Sequence, residues 1–365
     1  MTATSSVPHG SWSSLKAKGL QRLALLCGQS VTGRKAEISA RLTRAVAAPP
    51  PTSLASGPVV LSIDLGIRNL AISLMTPTQA SSSASSGPHR RKKAGAASPS
   101  DQLTGFAARP PSITLHHWQR LSLVNAQTTG VNSSTIDDEE ASTEEVFSPA
   151  NIAQLTNGFL QQTVLRMDPL PTHILIERQR WRSQSSTSIL EWTVRVNTLE
   201  AMLHASLQAL RDVGVYKGDV TSVRPESVGK FFLGAGEEGD PARDVSLNIK
   251  KAKIEMLGRW LSNDSDVIAP GNKLATEMID AYKERVMGPR RRKTSVKLDK
   301  EENGEEKLTL DTKLDDLTDS LMQGMAWLRW QENIAILRQE NGAEKLLQAA
   351  SPSVLTSDTS KVAKK

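Results

Sequence analysis

Apolar and polar positions along the chain predict strands first and alternating helices and strands later. Val59 to Leu65 is an almost unbroken apolar run that predicts a buried strand, Asn69 to Met75 predicts its hairpin partner, and Ile113 to Val124 predicts a third strand. The later segments, helical spacing alternating with short apolar runs, are Ile152 to Met167, His173 to Glu177, Ser186 to Leu210, Val220 to Val223, 246 to 262, 273 to 286 and Thr312 to Gln331. This order predicts an α/β fold with a mixed sheet flanked by helices.

Two shorter helical stretches precede the first strand, within residues 11–46. The segment from Thr32 to Leu42 follows a turn and resembles a SAP motif, a small helical DNA-binding module. An ordinary helical hairpin is the alternative interpretation. The basic residues expected to contact DNA here are Lys16, Lys18, Arg34 and Lys35.

Low-complexity and charged segments divide the rest of the chain. Residues 47–57 are rich in Pro, Ser and Ala and predict a linker. Residues 58–335 form the predicted main domain, and residues 336–365 a C-terminal tail. Disordered insertions into the main domain are predicted near 76–112, 125–148 and 289–307.

Composition narrows the function classes only mildly. The formal net charge of +6 fits a polyanionic partner. Hydrophobic residues make up 38%, which agrees with the presence of unpacked segments. Cys27 is the sole cysteine, so an internal disulfide and cysteine-rich zinc sites are excluded. No apolar run approaches the roughly 18 residues of a membrane span, and no membrane partner is expected.

The N-terminus carries no acid before Glu37. An acid-poor, Ser-bearing segment with scattered basic residues is typical of a mitochondrial transit segment. The alternative is a folded nucleic-acid-binding element that is basic for its own reasons.

Two carboxylates close apolar strands. Asp64 ends the first strand, where an isolated carboxylate must be paired, bound to metal or at the solvated strand end. Glu177 is the last residue of the predicted strand that begins at His173. Its alternative role is a surface ion pair with Arg178 or Arg180. Arg178, Arg180 and Arg182 share one face of an extended segment and suit phosphate contacts. Trp181, which lies among them, would stack on a base or sugar, or pack in the core.

Three further carboxylates, Asp315, Asp316 and Asp319, lie opposite the apolar stripe of the last long helix. Asp316 and Asp319 are i, i+3 neighbours and are close enough to share a cation. A solvated helix face near the positive end of the helix dipole is the alternative. Three like charges this close repel one another without a counter-cation, which favours a metal site.

Together these motifs resemble those of the fungal mitochondrial cruciform-cutting endonucleases, relatives of the bacterial RuvC Holliday junction resolvase. The matching segments are Asp-Leu-Gly at 64–66, Ile-Glu-Arg-Gln-Arg-Trp-Arg-Ser at 176–183 and Asp-Asp-Leu-Thr-Asp-Ser at 315–320. The resemblance covers most of residues 11–335 apart from the insertions, which look long for the fold.

The resemblance implies a ribonuclease-H-like fold, a mitochondrial homodimer and paired nicks across a four-way DNA junction during recombination. It maps the family's catalytic carboxylates to Asp64, Glu177, Asp316 and Asp319, with Asp315 as a rival or helper. These residues would hold two Mg²⁺ ions per active site, with Mn²⁺ possible, because oxygen-only ligands suit these ions over zinc. The candidate dimer contact is the helix at 186–210, through whichever of Val196, Leu199 and Leu203 proves exposed; core packing is the alternative role for most of its residues.

Two other classes stay open. An actin-like ATPase or sugar kinase opens with a similar Asp-Leu-Gly, but it would need further glycine-rich phosphate loops, and the second half of the sequence has none. A non-catalytic DNA-binding protein would tolerate neutralised acids, so a cleavage assay separates it from a resolvase.

Overall fold

The computed structural model describes residues 12, 14–50, 57–78, 108–124, 147–180, 189–234, 245–262, 266–287 and 314–350. The chain divides into two compact units, which we call the sheet unit (residues 50–78 and 111–328) and the helical unit (residues 1–49, 79–110 and 329–365). Most of the predicted insertions lie outside the described residues.

The elements follow the predicted order. The strands are β1 (Val60–Asp64), β2 (Leu70–Pro77), β3 (Ile113–Leu121), β4 (His173–Glu177), β5 (Asp219–Val223) and β6 (Ile268–Pro270). The helices are α1 (Ala17–Leu26), α2 (Lys35–Ala47), α3 (Pro149–Gln162), α4 (Glu191–Asp212), α5 (Pro225–Leu233), α6 (Val245–Trp260), α7 (Lys273–Met287), α8 (Leu314–Leu337) and α9 (Gly342–Ala350). Among the described residues, no helix is long and apolar enough to cross a membrane.

The sheet unit is built on one mixed sheet with the strand order β5-β4-β1-β2-β3-β6. The β1–β2 and β2–β3 pairs are antiparallel, whereas β1–β4, β4–β5 and β3–β6 are parallel. The central strand β1 therefore has an antiparallel hairpin partner on one side and the parallel strand β4 on the other.

Alternation along the strands gives the sheet two buried faces. One face, including Ile63 and Ile176, packs against α3 and α4 in the main hydrophobic core. Val196, Leu199 and Leu203 of α4 belong to this core and are at most 4% exposed. None of the three is therefore exposed enough for the predicted dimer contact, and the core-packing alternative applies to them, because they cover the sheet of their own chain.

The opposite face of the sheet, where Ser62 and Ser73 lie side by side on β1 and β2, is covered by α8. A Cβ added at Gly324 would lie 2.3 Å from Cε of Met75 and 3.3 Å from Cβ of Ser62, so glycine allows the helix to approach β1 and β2 closely. Ser73 donates a hydrogen bond to the Ser320 carbonyl over 3.0 Å. These contacts fix α8 across the middle of the sheet.

Two short elements differ from the sequence analysis. Pro225, expected only to close a strand, begins helix α5, since proline is well suited to the first turn of a helix. Strand β6 is three residues long and pairs with β3; its Ile-Ala-Pro sequence is too short to show a strand period.

The helical unit contains α1, α2, the end of α8 and α9. Asn333 donates from α8 to the Leu26 carbonyl at the end of α1 over 2.7 Å, and Arg22 of α1 donates to the Ala350 carbonyl over 2.9 Å. Residues 336–350 are thus folded as the end of α8 and as α9, rather than as the predicted tail. Burial of Ala343 and Leu346 on one face of α9 explains the difference.

Candidate active site

Asp64 and Glu177 lie side by side at one edge of the sheet. Strands β1 and β4 are parallel neighbours, with Ile63 opposite Ile176, so the next residue of each strand is the carboxylate. The carboxyl ends of parallel strands in open α/β sheets are where ligands usually bind. Asp64 shares a strand face with Ser62, and this face is the one that α8 covers.

Helix α8 starts at this same edge. Gln323 donates its amide to the Ser62 hydroxyl over 3.0 Å and to the Ile63 carbonyl over 3.2 Å. Tyr282 of α7 is hydrogen-bonded to Thr318 over 2.7 Å. With α8 held in this register, its first two turns bring the late aspartates to the two strand ends.

Electrostatics show which carboxyls lie close together. Burial raises the pKa of Asp64 well above its ordinary value, and a hydrogen bond with Glu177, together with that group's charge, adds to the effect. The charges of Asp319 and Asp316 act in the same direction on the pKa of Asp64. Burial also raises the pKa of Asp319. Four of the five predicted carboxylates therefore form one interacting cluster.

Asp315 has a different main partner. It accepts a hydrogen bond from Lys250 of α6 over 2.7 Å, and this bond is the main cause of the raised pKa of Lys250. Asp315 still contributes repulsion to Asp319. Asp315 therefore lies beside the other late aspartates, with Lys250 as its main partner.

Three cations that the sequence analysis missed surround the late aspartates. Lys250 pairs with Asp315, and Lys253 pairs with Asp319 over 2.5 Å. Arg120 of β3 places Nη1 at 4.0 Å from Oδ2 of Asp316. The sequence gives one signal for these cations, which is the i, i+3 spacing of Lys250 and Lys253 on one helix. Such spacing usually marks a solvated helix face.

Glu177 has its own set of neighbours, also missed from sequence. Its Oε2 accepts from the Gln179 amide over 3.1 Å and from the Leu65 backbone N–H over 3.4 Å. Glu200 of α4 accepts from the Gln179 backbone N–H over 2.9 Å. Arg180, one of the two arginines predicted as an alternative ion-pair partner of Glu177, pairs instead with Glu226 over 2.7 Å.

The predicted DNA contacts are distributed over both units. Arg178 and Arg180 follow β4 directly and are exposed, while Trp181 and Arg182 lie outside the described residues. In the helical unit the exposed basic residues Lys16, Lys18, Arg34 and Lys35 lie at the beginnings of α1 and α2. Helix N-termini and basic side chains both favour phosphate.

The cluster has the donor set of a hard divalent cation. Asp64, Glu177, Asp316 and Asp319 offer only carboxylate oxygens, the ligands that Mg²⁺ and Mn²⁺ prefer. Within the described residues, no three acidic, histidine or cysteine side chains already converge as closely as a metal's ligands do. A divalent cation beside Asp64 and Glu177 would offset the burial and repulsion that raise the pKa of Asp64.

A mixed sheet of this order, with carboxylates at two parallel strand ends and on the helix that crosses them, defines a nuclease of the ribonuclease-H-like class. The chain belongs to the family described as "Mitochondrial resolvase Ydc2 / RNA splicing MRS1", whose model matches residues 60–337.

Individual relatives agree with this assignment. The chain is 25% identical over 325 residues to "Cruciform cutting endonuclease 1, mitochondrial" of Schizosaccharomyces pombe, covering 88% of this chain and 94% of that one. It is 26% identical over 205 residues to the protein of the same name from Saccharomyces cerevisiae, covering 51% and 55%.

A solved structure supports the fold. The crystal structure of the yeast mitochondrial Holliday junction resolvase Ydc2 matches with a TM-score of 0.53 at 23% identity, covering 90% of this chain and 98% of that one. The predicted family, ribonuclease-H-like fold, endonuclease class and mitochondrial location are confirmed. The alternative of an actin-like ATPase or sugar kinase is set aside.

Proposed function

We propose that this chain resolves four-way DNA junctions as a divalent-metal-dependent endonuclease that nicks two opposed strands. The observation that carries the proposal is the carboxylate cluster formed by Asp64, Glu177, Asp316 and Asp319 at one edge of the sheet. Membership of a resolvase family makes a junction-resolving endonuclease the activity to expect.

Two Mg²⁺ ions, or Mn²⁺, would be held by Asp64, Glu177, Asp316 and Asp319, with Asp315 as a helper held by Lys250. When bound, such ions supply an activated water and stabilise the leaving oxygen of the phosphodiester. Asp64 and Glu177 set the position of the cluster because two neighbouring strands fix their backbones. Gln179 restrains the Glu177 carboxylate through its amide hydrogen bond.

DNA would be held by basic residues of both units. Arg178 and Arg180 lie one and three residues after Glu177 and are exposed, so their guanidinium groups would bind backbone phosphates near the cut. The SAP-like module, predicted at 11–46, would add affinity through Lys16, Lys18, Arg34 and Lys35. Such contacts position the duplex without reading its sequence, which suits an enzyme that selects DNA shape.

A homodimer would supply the two sites that paired nicks require. Because the inner face of α4 is buried, the proposed dimer contact lies at the exposed apolar residues at and just before the start of α4. Ile189, Leu190, Trp192 and Val194 are between 43% and 58% exposed. Four neighbouring apolar side chains at this exposure are more than the usual scattered surface residue.

The family description also includes an RNA-splicing protein, which leaves a non-catalytic nucleic-acid-binding protein as the second candidate. A binding protein has no use for four mutually repelling carboxylates beside a polyanion. The cluster therefore favours a nuclease.

The test is a cleavage assay on a four-way junction and on a linear duplex, each with Mg²⁺ and with EDTA. We expect metal-dependent cutting of the junction by the wild type and none by Asp64→Asn. Asp212→Asn, which removes an exposed acid at the end of α4, is the control with an equal change of charge. Junction binding without cutting in any divalent metal would favour the non-catalytic candidate.

A further inference from the structure

Lys253 is the least exposed of the three cations that pair with the late aspartates. Its ammonium group lies 2.5 Å from Oδ1 of Asp319, and its side chain is only 12% exposed, against 64% for Lys250 one turn earlier. Little water screens the Lys253–Asp319 pair, so its charge acts on the cluster more strongly than that of Lys250.

Asp319 needs a counter-charge more than a surface acid does. It is half-buried beside other acids, and the charges of Glu177 and Asp315 both disfavour its ionised form. Lys253 acts against that repulsion through its charge and its hydrogen bond. In the metal-free protein, Lys253 thus supplies positive charge where the proposed function requires a divalent ion.

We infer that Lys253 is a positioning residue. It holds Asp319 in place in the metal-free protein and competes with the divalent ion for the Asp319 carboxylate. The inference rests on the proposed metal-dependent function and assigns to α6 a role in setting metal affinity. Lys253 stabilises the carboxylate cluster when no metal is bound, and its charge lowers the affinity of the cluster for metal.

Lys253 lowers the metal affinity in either of two possible arrangements of the ion, because both cations carry positive charge. If the ion takes the same oxygen, the ammonium group must leave, and the energy of the ion pair is lost. If the ion takes the other oxygen of Asp319, a divalent and a monovalent cation lie a few ångströms apart and repel each other. In both arrangements, metal binding and the Lys253–Asp319 pair oppose each other, and this coupling is reciprocal.

The test measures Mn²⁺ binding to the full chain without DNA, from the loss of the free-ion signal in electron paramagnetic resonance. We expect Lys253→Gln to bind Mn²⁺ on the order of tenfold more tightly than the wild type. In EDTA it should melt about 2–4 °C lower, and Mn²⁺ should raise its melting temperature more than that of the wild type. A lysine with a purely structural role would leave the affinity unchanged or lower it.

Lys251→Gln is the matched control. It removes the same charge from the same helix, but Lys251 is 67% exposed and pairs with Glu255 rather than with the cluster. Its Mn²⁺ affinity should equal that of the wild type. Lys253→Arg, which keeps the charge, should also bind like the wild type.

The outcomes separate this inference from the function on which it rests. Wild-type affinity in Lys253→Gln, or equal tightening by Lys251→Gln, overturns the role of Lys253 alone. If Lys253→Gln does not fold, Lys253→Met keeps most of the aliphatic packing and carries the same expectation. A wild type that binds no Mn²⁺ contradicts the proposed metal site instead.

Discussion

Gln323 donates its side-chain amide to the hydroxyl of Ser62, joining the middle of α8 to the central strand two residues before Asp64. Both side chains are buried, and the same amide also reaches the Ile63 carbonyl. The late aspartates lie one to two turns earlier on the same helix. This hydrogen bond therefore fixes the distance between the two halves of the carboxylate cluster.

Replacing Gln323 should lower both stability and activity. Gln323→Leu leaves the buried Ser62 hydroxyl without its donor, at a cost of about 1–3 kcal/mol in the free energy of unfolding. Cleavage should fall as well, because α8 loses its register against β1. Urea denaturation and single-turnover cutting test this expectation. Gln208→Leu, at an exposed amide on α4, is the control and should change neither.

Asp64→Asn should abolish cutting while leaving junction binding intact or tighter. The substitution removes negative charge that the metal needs and that repels DNA phosphate, and it removes no basic contact. Cleavage and gel-shift titrations with the same junction measure the two effects. Cutting near the wild-type rate in Mg²⁺ contradicts the assignment of Asp64 to the metal site.

Asp64→Asn should also stabilise the metal-free protein at neutral pH. Burial raises the pKa of Asp64 in the folded state, so the folded protein binds that proton more tightly than the unfolded chain does. Ionisation of Asp64 therefore lowers stability above the raised pKa, and this cost is relieved as the pH falls towards it. The asparagine variant lacks the cost. We expect its melting temperature in EDTA to exceed that of the wild type by about 2–4 °C near pH 8, with a smaller difference near pH 5.

The late-helix acids should not be equivalent. Asp316 and Asp319 act on Asp64, whereas Asp315 is held by Lys250. Asp316→Asn and Asp319→Asn should each lower the cleavage rate at least as much as Asp315→Asn does. A rate series in Mg²⁺ decides the order, and a series in which only Asp315 is indispensable would move the metal-binding register by one residue.

The two strand-end carboxylates could be found from sequence because an apolar run that stops at an acid is a local pattern. The pairing of β1 with β4 is not local, since more than a hundred residues separate Asp64 from Glu177. Lys253 and Arg120 were missed for the same reason. Each is an ordinary charged residue until the fold brings a helix from much later in the chain beside it.

Short elements were the other gap between sequence and structure. Helix α9 has nine residues, too few for its period to stand out from a polar tail. The helical spacing of apolar residues in α4 correctly predicted an apolar face. Periodicity cannot say whether that face covers its own sheet or a second subunit. Only the burial of Leu199 and Leu203 settles that question.

The SAP-like module should contribute affinity that depends strongly on salt. Its exposed charges can be removed without disturbing the packing of α1 and α2, unlike a truncation, which would uncover the buried faces of both helices and α9. Glutamine at Lys16, Lys18, Arg34 and Lys35 should flatten the slope of log K against log salt by roughly 0.9 for each phosphate that is no longer neutralised. Fluorescence anisotropy at several salt concentrations measures the slope. An unchanged slope would mean that this segment does not bind the junction.

Paired cutting should depend on the exposed apolar residues at the start of α4. Leu190→Glu with Trp192→Glu places two charges on the proposed contact, where a partner subunit would have to bury them. We expect sedimentation to show a dimer for the wild type and a monomer for the double variant. On a junction carried in a supercoiled plasmid, the monomer should give nicked circles where the dimer gives linear product.

Val213→Glu, at an apolar residue 72% exposed beyond the other end of α4, is the control and should remain a dimer. A wild type that sediments as a monomer at micromolar concentration and binds a junction as a single copy would contradict both the dimer and the paired-nick mechanism.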